Sequence, residues 1–177
     1  EIKLLKDYPN WEFLPNEEKF TIFETTLQAV KELKIRFKDY EFLPQTMPPF
    51  PWHQGGRSYH NLMVQGENIQ DMVEKGDVNI CFDVSHTSMA CNYHSEDFYK
   101  IIKNLGHKIK HIHLSDARGN SEEGLEVGDG SIDFKEFHKS IMNDGNKKFL
   151  LPEIWQGHLS YGFKFATSLI RYSGLIN

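Results

Sequence analysis

The feature that most constrains the fold of this chain is a repeated order of strand-like and helix-like segments, in which each strand-like segment ends in a polar side chain. Those polar residues are Gln45, Asp83, His113 and Glu153. Strands joined by helices form a parallel sheet, and the strands of such a sheet present their carboxyl ends at the same edge. The sequence therefore predicts that these four side chains meet, although they lie far apart in the chain.

Apolar periodicity and capping residues predict where the elements lie. We expect helices over residues 16–34, 67–75, 95–105, 133–145 and 161–173, with Asn16, Ser95 and Asp133 as N-caps. Strands are expected over residues 35–45, 79–84, 109–114 and 149–154. Residues 46–56 are rich in Pro and Gly and are predicted to form a loop.

Four strand–helix units amount to half of a (β/α)8 TIM barrel, whose usual length is about 250 residues. By its length, the chain is expected to be a single partial domain over residues 1–177. The polar residues also stand at the ends of the strands, where active sites of such barrels lie. A doubly wound open sheet is the alternative, although its Gly-rich phosphate-binding fingerprint is missing here.

Composition argues against several classes of function. The net charge is −5 and the 20 Lys and Arg residues are scattered, so we expect no nucleic-acid partner. No apolar run approaches the roughly 20 residues that a membrane-spanning helix needs, and no basic-then-apolar leader is visible. The two cysteines, Cys81 and Cys91, do not resemble an extracellular disulfide framework, so the expected location is the reducing cytoplasm.

The four residues at the strand ends are candidate metal ligands. Carboxylate, imidazole and amide oxygen suit a divalent ion such as Mn²⁺, Zn²⁺ or Co²⁺. Other roles stay open for each of them. Asp83 could cap a helix with His86 at the surface, and Glu153 could pair with a Lys. His113 is a better ligand than His111, which lies on the same face but deeper along the strand.

The Pro- and Gly-rich segment and the turn that follows it carry further polar and aromatic side chains. Trp52, His53, Arg57 and His60 could cover a polar substrate and bind an anionic group. The alternative is an ordered surface loop that its aromatic residues pack. The glycines of residues 124–130 follow no predicted strand and precede no immediate helix, so they do not indicate a nucleotide-binding loop.

Over about residues 40–160 the sequence resembles the xylose-isomerase-like TIM barrel superfamily, which includes sugar phosphate isomerases and epimerases and endonuclease IV-like repair enzymes. The resemblance rests on the segments Phe82-Asp-Val-Ser-His86, His111-Ile-His-Leu-Ser-Asp116, Gly124-Leu-Glu-Val-Gly-Asp-Gly130 and Pro152-Glu-Ile154. A narrower branch, found beside or fused to sialic-acid-synthase-like proteins, is more similar at Met47-Pro-Pro-Phe-Pro-Trp52 and Glu153-Ile-Trp-Gln-Gly-His158.

The resemblance implies the C-terminal half of a TIM barrel, because the family barrel has four further strands before those found here. It implies one divalent metal ion (Mn, Zn, Co or Mg) held by Asp83, His113 and Glu153. The fourth ligand of the family is normally Glu, and the matching position here is Gln45. His86 would contact a substrate oxygen.

The expected activity is isomerisation or epimerisation of a sugar or sugar derivative through an enediolate, with Glu153 as general base. The family's epimerases use two metal-bound Glu residues, and Gln45 cannot replace the second. Trp155 and His158, with His86 and the residues of the 52–60 segment, are predicted to bind this small-molecule carbohydrate.

Two other functions stay open. One is a metal-dependent hydrolase or endonuclease of the same fold. This alternative is disfavoured because Gly124 stands where the repair nucleases keep a His. The other is a catalytically idle, sugar-binding barrel. Expected macromolecular partners are a second copy of the chain, through the open edges of a half barrel, or a sialic-acid-synthase-like companion.

Overall fold

The structure, a computed structural model, describes residues 15–50, 52–54, 57–59 and 61–176, and it describes only the backbone of residues 52–54 and 57–59. Six α-helices occur in the described residues: α1 Asn16–Arg36, α2 Gly66–Gly76, α3 Val84–His94, α4 Phe98–Leu105, α5 Phe134–Ile141 and α6 Phe163–Ile176. The strands are β1 Trp52–Gln54, β2 Arg57–Tyr59, β3 Ile80–Asp83, β4 Ile109–Leu114, β5 Asp116–Arg118, β6 Glu122–Leu125 and β7 Phe149–Pro152. The described helices include none with the length and apolar character needed to cross a bilayer.

A parallel sheet in the order β3-β4-β7 positions the predicted ligands. In its register Asp83 lies opposite His113, and His113 lies opposite Leu151. Helices α3 and α4 connect β3 to β4, and α5 precedes β7, so parallel strands alternate with helices as the sequence predicted. The chain is therefore an α/β fold built on a parallel sheet.

The first predicted strand, residues 35–45, is wrong in its extent. Helix α1 continues to Arg36, and only Gln45 joins the sheet, through an isolated parallel bridge to Cys81. The Cys81 backbone N–H donates to the Pro44 carbonyl at 3.0 Å, and the Thr46 N–H donates to the Cys81 carbonyl at 3.1 Å. Pro44 has no N–H with which to extend the ladder, so the pairing stays short.

The two faces of the sheet differ because strand side chains alternate. Ile80, Phe82, Ile112 and Leu114 point to the face covered by helices and are fully buried or nearly so. They join one apolar cluster with residues from the helices, among them Met72, Ile102, Leu105, Phe137 and Ile141. Burial of this face determines the orientation of the strands. The alternate residues therefore point to the opposite face of the sheet.

The second face carries the polar ligands at its upper end and apolar residues below them. By alternation this face includes Cys81, Asp83, His111 and His113 together with Phe149 and Leu151. Phe149 is 77% exposed and Leu151 is 48% exposed. In a closed barrel the inner face is packed by side chains from all the strands. The described residues cover only part of that interior.

Helix α3, which directly follows β3, was not predicted from the sequence. Its sequence mixes small polar and apolar residues, and Ser85, Thr87 and Ser88 are buried in it, so it shows no amphipathic period. Ser95 ends this helix in the left-handed conformation with φ of 58°, and it does not begin the next one. The N-cap of α4 is Asp97, whose carboxylate accepts from the Lys100 N–H at 3.0 Å.

Two antiparallel hairpins were not predicted. Strands β1 and β2 pair with Trp52 opposite Tyr59, so the prediction of a loop without secondary structure over residues 46–56 was wrong at residues 52–54. Strands β5 and β6 pair with Asp116 opposite Leu125 and stand directly after β4. Three- and four-residue strands are too short to show an alternating pattern.

The remaining helices match their predictions with shifted ends. Helix α1 begins after Pro15, with Pro15 and not Asn16 at the N-cap, and it buries Phe23 and Leu27. In α5 the predicted N-cap is confirmed, because the Asp133 carboxylate accepts from two backbone N–H groups, but the helix ends at Ile141. The last helix extends to Ile176.

Candidate metal centre

Asp83 uses its two carboxylate oxygens for two different purposes. Oδ1 accepts from the His86 backbone N–H and from the Ser85 hydroxyl, each at 2.9 Å, and so caps helix α3. Oδ2 faces His113 Nδ1 at 3.6 Å and accepts from Gln45 Nε2 at 3.2 Å. The side chain is 1% exposed, and a carboxylate so deeply buried requires such partners. The cap and ligand interpretations of the sequence are therefore compatible in one residue.

His113 and Glu153 complete a three-residue cluster with Asp83. One potential ligand atom from each residue lies within 4.8 Å of the other two. His113 Nδ1 is 2.6 Å from Glu153 Oε2. This distance is that of an ion pair when His113 is protonated, although the buried Nδ1 has no well-aligned hydrogen-bond partner among the described residues. One nitrogen and two carboxylate oxygens that converge in this way fit a divalent ion.

Without an ion, a proton on His113 balances the charge of the cluster. Contact with Asp83, and after it with Cys81 and Glu153, raises the pKa of His113 to about 12. Burial alone would raise the pKa of Asp83, but His113 and His86 hold it below its ordinary value. An ion and this proton would occupy the same position, so binding of the ion must release the proton.

Gln45 lies at the same edge as the three clustered residues, as its bridge to Cys81 requires. Its amide nitrogen donates to Asp83, so in this arrangement Gln45 is a hydrogen-bond donor to the cluster. An amide group cannot accept and return a substrate proton as a carboxylate does. Its role as a fourth ligand stays a prediction.

A cavity of about 500 Å³ opens beside the cluster. Two residues of the cluster, Asp83 and Glu153, line its wall together with Gln45. Other polar residues of the wall are Ser85, His86, Ser115, Glu123 and Gln156. Glu153 is 55% exposed, whereas Asp83 lies beneath it. Glu153 is thus the carboxylate of the cluster with the freest access to a molecule in the cavity.

The His86 ring is held on both sides at the cavity wall. Nδ1 is 3.2 Å from the Thr46 carbonyl and 3.4 Å from Asp83 Oδ2, and Nε2 is 3.3 Å from Glu123 Oε2. Burial lowers the pKa of His86, but Glu123 and Asp83 outweigh it and leave the pKa above its ordinary value. The ring can therefore carry a proton and donate hydrogen bonds.

The other predicted substrate-binding residues are only partly described. Trp155 and His158 line the cavity. The side chains of Trp52, His53 and Arg57, and the whole of His60, lie outside the described residues. Their assignment as substrate-binding residues stays a prediction.

Sequence reasoning missed Glu123 as a residue of the site. It appeared only at the edge of the Gly-rich segment, and neither its spacing from β4 nor its neighbours marked it. The hairpin β5–β6 carries it to the cavity, and that hairpin has no recognisable pattern in the sequence. Two acidic residues directly before Gly124 were the only local signal.

A model of the xylose isomerase-like TIM barrel family matches residues 8–168, which is most of the chain. The chain belongs to this xylose isomerase-like TIM barrel family. An uncharacterized protein of Methanocaldococcus jannaschii is 32% identical over 84 residues, which are 48% of this chain and 31% of that protein. An inosose dehydratase of Clostridium perfringens is 25% identical over 107 residues, covering 51% of this chain and 35% of that protein.

Several solved structures share the fold over nearly all of this chain. A D-tagatose 3-epimerase-like protein has a TM-score of 0.64 at 22% identity, with 93% of this chain and 60% of that chain covered. The 3-keto-D-glucoside 4-epimerase YcjR of E. coli has a TM-score of 0.63 at 12% identity, covering 93% and 58%. An L-ribulose 3-epimerase has a TM-score of 0.64 at 15% identity, covering 91% and 55%.

The match to these relatives is partial in length. The chain spans about 60% of the first of these barrels and about a third of the curated relatives. It is a partial xylose isomerase-like barrel, with a possible metal site of Asp83, His113 and Glu153. None of these relatives supports the narrower branch beside sialic-acid-synthase-like proteins, and a companion of that kind stays a prediction.

Proposed function

We propose that this chain carries the metal centre of a divalent-metal-dependent isomerase or epimerase that acts on a sugar or sugar derivative. The observation that carries the proposal is the convergence of Asp83, His113 and Glu153 beside an open, polar cavity. The sugar epimerases and the inosose dehydratase among its relatives support a carbohydrate as the substrate.

Asp83, His113 and Glu153 would hold the ion, with Gln45 beside them. When bound, a divalent ion supplies Lewis-acid polarisation of a carbonyl and its adjacent hydroxyl. Glu153 takes the proton from the substrate carbon next to the carbonyl, which leaves an enediolate. Return of that proton from Glu153 to the former carbonyl carbon, with transfer of the hydroxyl proton to the former carbonyl oxygen, isomerises the sugar. Epimerisation instead requires a second proton donor on the opposite face of the same carbon, and the amide of Gln45 cannot supply it.

His86 has the role of orienting the substrate. Its ring is fixed by Thr46 and Asp83 at Nδ1 and turns Nε2 toward the cavity wall. A protonated ring donates a hydrogen bond to a substrate oxygen there. Because His86 is held by the residue that caps α3, its position depends on the same carboxylate that faces the metal centre.

A specific observation favours a second candidate, a sugar-binding barrel without turnover. Gln45 presents its amide nitrogen to Asp83, so the family's second proton-transferring carboxylate has no counterpart at this position. The endonuclease-like alternative receives no such support. A Cβ atom at Gly124, where the repair enzymes keep a His, would lie 2.2 Å from Trp155 Cδ1.

Deuterium exchange tests the proposal. The wild-type protein, loaded with Mn²⁺, is expected to incorporate deuterium from heavy water into at least one of a panel of ketoses and their phosphates. Glu153→Gln should keep the fold and reduce exchange by about 100-fold or more, the usual contribution of a general base. Gln45→Glu is expected to raise exchange, because it restores a second carboxylate.

Glu122→Gln is the matched control for these variants. Glu122 lies on β6, pairs with Arg118 at 3.1 Å and faces solvent, so this change should leave exchange as in the wild type. Full exchange with Glu153→Gln would rule out the assigned base. An absence of exchange on every sugar with the wild-type protein would favour the sugar-binding barrel.

A further inference from the structure

Glu123 brings a third carboxylate to the cavity, beside those of Asp83 and Glu153 but outside the three-residue cluster. It lines the same wall as Asp83 and Glu153, and its side chain is 23% exposed. Its Oε2 lies 3.3 Å from His86 Nε2 but is buried without a hydrogen-bond partner among the described residues. The ion pair with the His86 ring offsets part of the cost of burying this oxygen, and a donor from a ligand or water would supply the aligned hydrogen bond that the oxygen lacks.

The hairpin that carries Glu123 is anchored at its base. The buried Asp116 carboxylate accepts from four backbone N–H groups, those of Ala117, Gly128, Gly130 and Ile132. These bonds tie the loop after β6 back to the start of β5. The base of the hairpin therefore cannot move away from the sheet without breaking several hydrogen bonds to a charged group.

The strand of Glu123 is also held from the side of β7. The Trp155 backbone N–H donates to the Gly124 carbonyl at 2.8 Å, and the Trp155 ring lies against Gly124. Gly124 has a φ of 65° and no side chain, which allows this close approach. The position of Glu123 is thus built into the site.

Glu122, the neighbouring residue, shows what an ordinary surface glutamate does on this strand. Successive strand side chains point to opposite faces. Glu122 faces solvent and pairs with Arg118, whereas Glu123 faces His86. Only one of two adjacent glutamates belongs to the cavity, so the pair provides a test residue and its control.

We infer that Glu123 is a specificity-determining residue that accepts a hydrogen bond from an uncharged sugar hydroxyl beside His86 and disfavours a phosphate at that place. This inference rests on the proposed function, that the cavity binds a sugar. A hydroxyl is both donor and acceptor, so it can donate to Glu123 and accept from the His86 ring. A phosphate offers only acceptors to the carboxylate and carries the same sign of charge.

The test compares Glu123→Gln with Glu122→Gln, both loaded with Mg²⁺. Calorimetry would measure the affinities of D-tagatose and of its 6-phosphate, a pair that differs only in the charged group. The wild type and Glu122→Gln should prefer the neutral ketose by about tenfold or more, and Glu123→Gln should lose most of that preference. The same preference in both variants, or a wild type that prefers the phosphate, would overturn the inference.

Inorganic phosphate separates this inference from the proposed function. If neither ketose binds to any form, the proposed function fails, and phosphate binding then decides the role of Glu123. Glu123→Gln should bind inorganic phosphate at least about fivefold more tightly than Glu122→Gln, because only the former removes the carboxylate that faces the cavity. Equal phosphate affinities of the two variants would overturn the role of Glu123.

Discussion

At the scale of single residues, the candidate centre depends on side chains that each have more than one partner. Asp83 caps α3 with Oδ1 and faces His113 with Oδ2, while His86 bridges Asp83 and Glu123. Shared partners couple the position of the helix to the position of the ligands. A change at one residue of this set is therefore expected to affect the others.

Proton release from His113 predicts how metal affinity depends on pH. The pKa of His113 in the folded protein is raised from 6.5 to about 12, so the ion must displace a proton over most of that range. The apparent affinity for Mn²⁺ should therefore rise by about tenfold per pH unit between pH 6.5 and 8.5. Calorimetric titrations at three pH values in this window would measure it.

The same proton makes the stability of the metal-free fold depend on pH. Because the folded pKa lies above the ordinary value of 6.5, protonated His113 stabilises the fold fully below pH 6.5, and this stabilisation is lost as the pH rises toward about 12. His113→Gln should remove this dependence from urea unfolding curves. An apparent Mn²⁺ affinity that stays constant from pH 6.5 to 8.5 would contradict the release of this proton from His113 when the ion binds.

The sequence identified Asp83, His113 and Glu153 as residues that meet because each of them lies at the end of a strand. The parallel strands of one sheet present their carboxyl ends at the same edge. It could not show that Asp83 would both cap a helix and face the other ligands, since either role explains an Asp after an apolar run. It also missed Glu123, whose place depends on a hairpin and on the contact between Gly124 and Trp155.

At the scale of elements, the hairpin β5–β6 forms one side of the cavity and is stabilised by contacts near its base. Asp116 holds its base, and Trp155 packs on Gly124. Gly119, in the turn between the two strands, has a similar φ of 61° but has no neighbour within 4 Å of an added Cβ. A comparison of Ala substitutions at these two glycines therefore distinguishes the cost of backbone strain from the cost of steric overlap with Trp155.

Gly124→Ala is expected to destabilise the protein more than Gly119→Ala. Each change places a Cβ in the left-handed region, at a cost of about 1–2 kcal/mol. At Gly124 the new Cβ would also lie 2.2 Å from Trp155 Cδ1, and such overpacking adds about 1–3 kcal/mol. Urea denaturation of the two variants measures the difference, and equal stabilities would show that Trp155 does not hold this strand.

The elements that the sequence predicted are those with a visible period or cap. Helix α2 and strand β4 have clear apolar patterns and were placed within a residue or so. Helix α3 could not be predicted because it buries several of its small polar side chains, and that hides the amphipathic period. The first strand was overestimated because apolar residues continue through a segment in which Pro44 interrupts the backbone pairing.

At the scale of the whole molecule, the described residues form a parallel sheet with one open edge and an incompletely covered inner face. Strand β7 pairs with β4 on one side, and no other described strand pairs with it. Phe149 and Leu151 on this strand are largely exposed. Unpaired edges and exposed apolar side chains favour association with another chain.

Residues 1–177 alone are therefore expected to self-associate. Sedimentation velocity over a range of protein concentrations should show dimers or larger species. Leu151→Lys should weaken the association, because it places a charge on the exposed inner face. A monodisperse monomer that unfolds cooperatively would contradict the prediction and would show that this part of the barrel is stable by itself.

Metal content tests the central claim most directly. After reconstitution with Mn²⁺ and removal of excess ion, elemental analysis should find about one ion per chain in the wild type and in Glu122→Gln. His113→Ala and Asp83→Asn should lose nearly all of it, and Asp83→Asn keeps an oxygen that can cap α3. Metal content that is unchanged in both of these variants would contradict the assignment of Asp83, His113 and Glu153 as the metal centre.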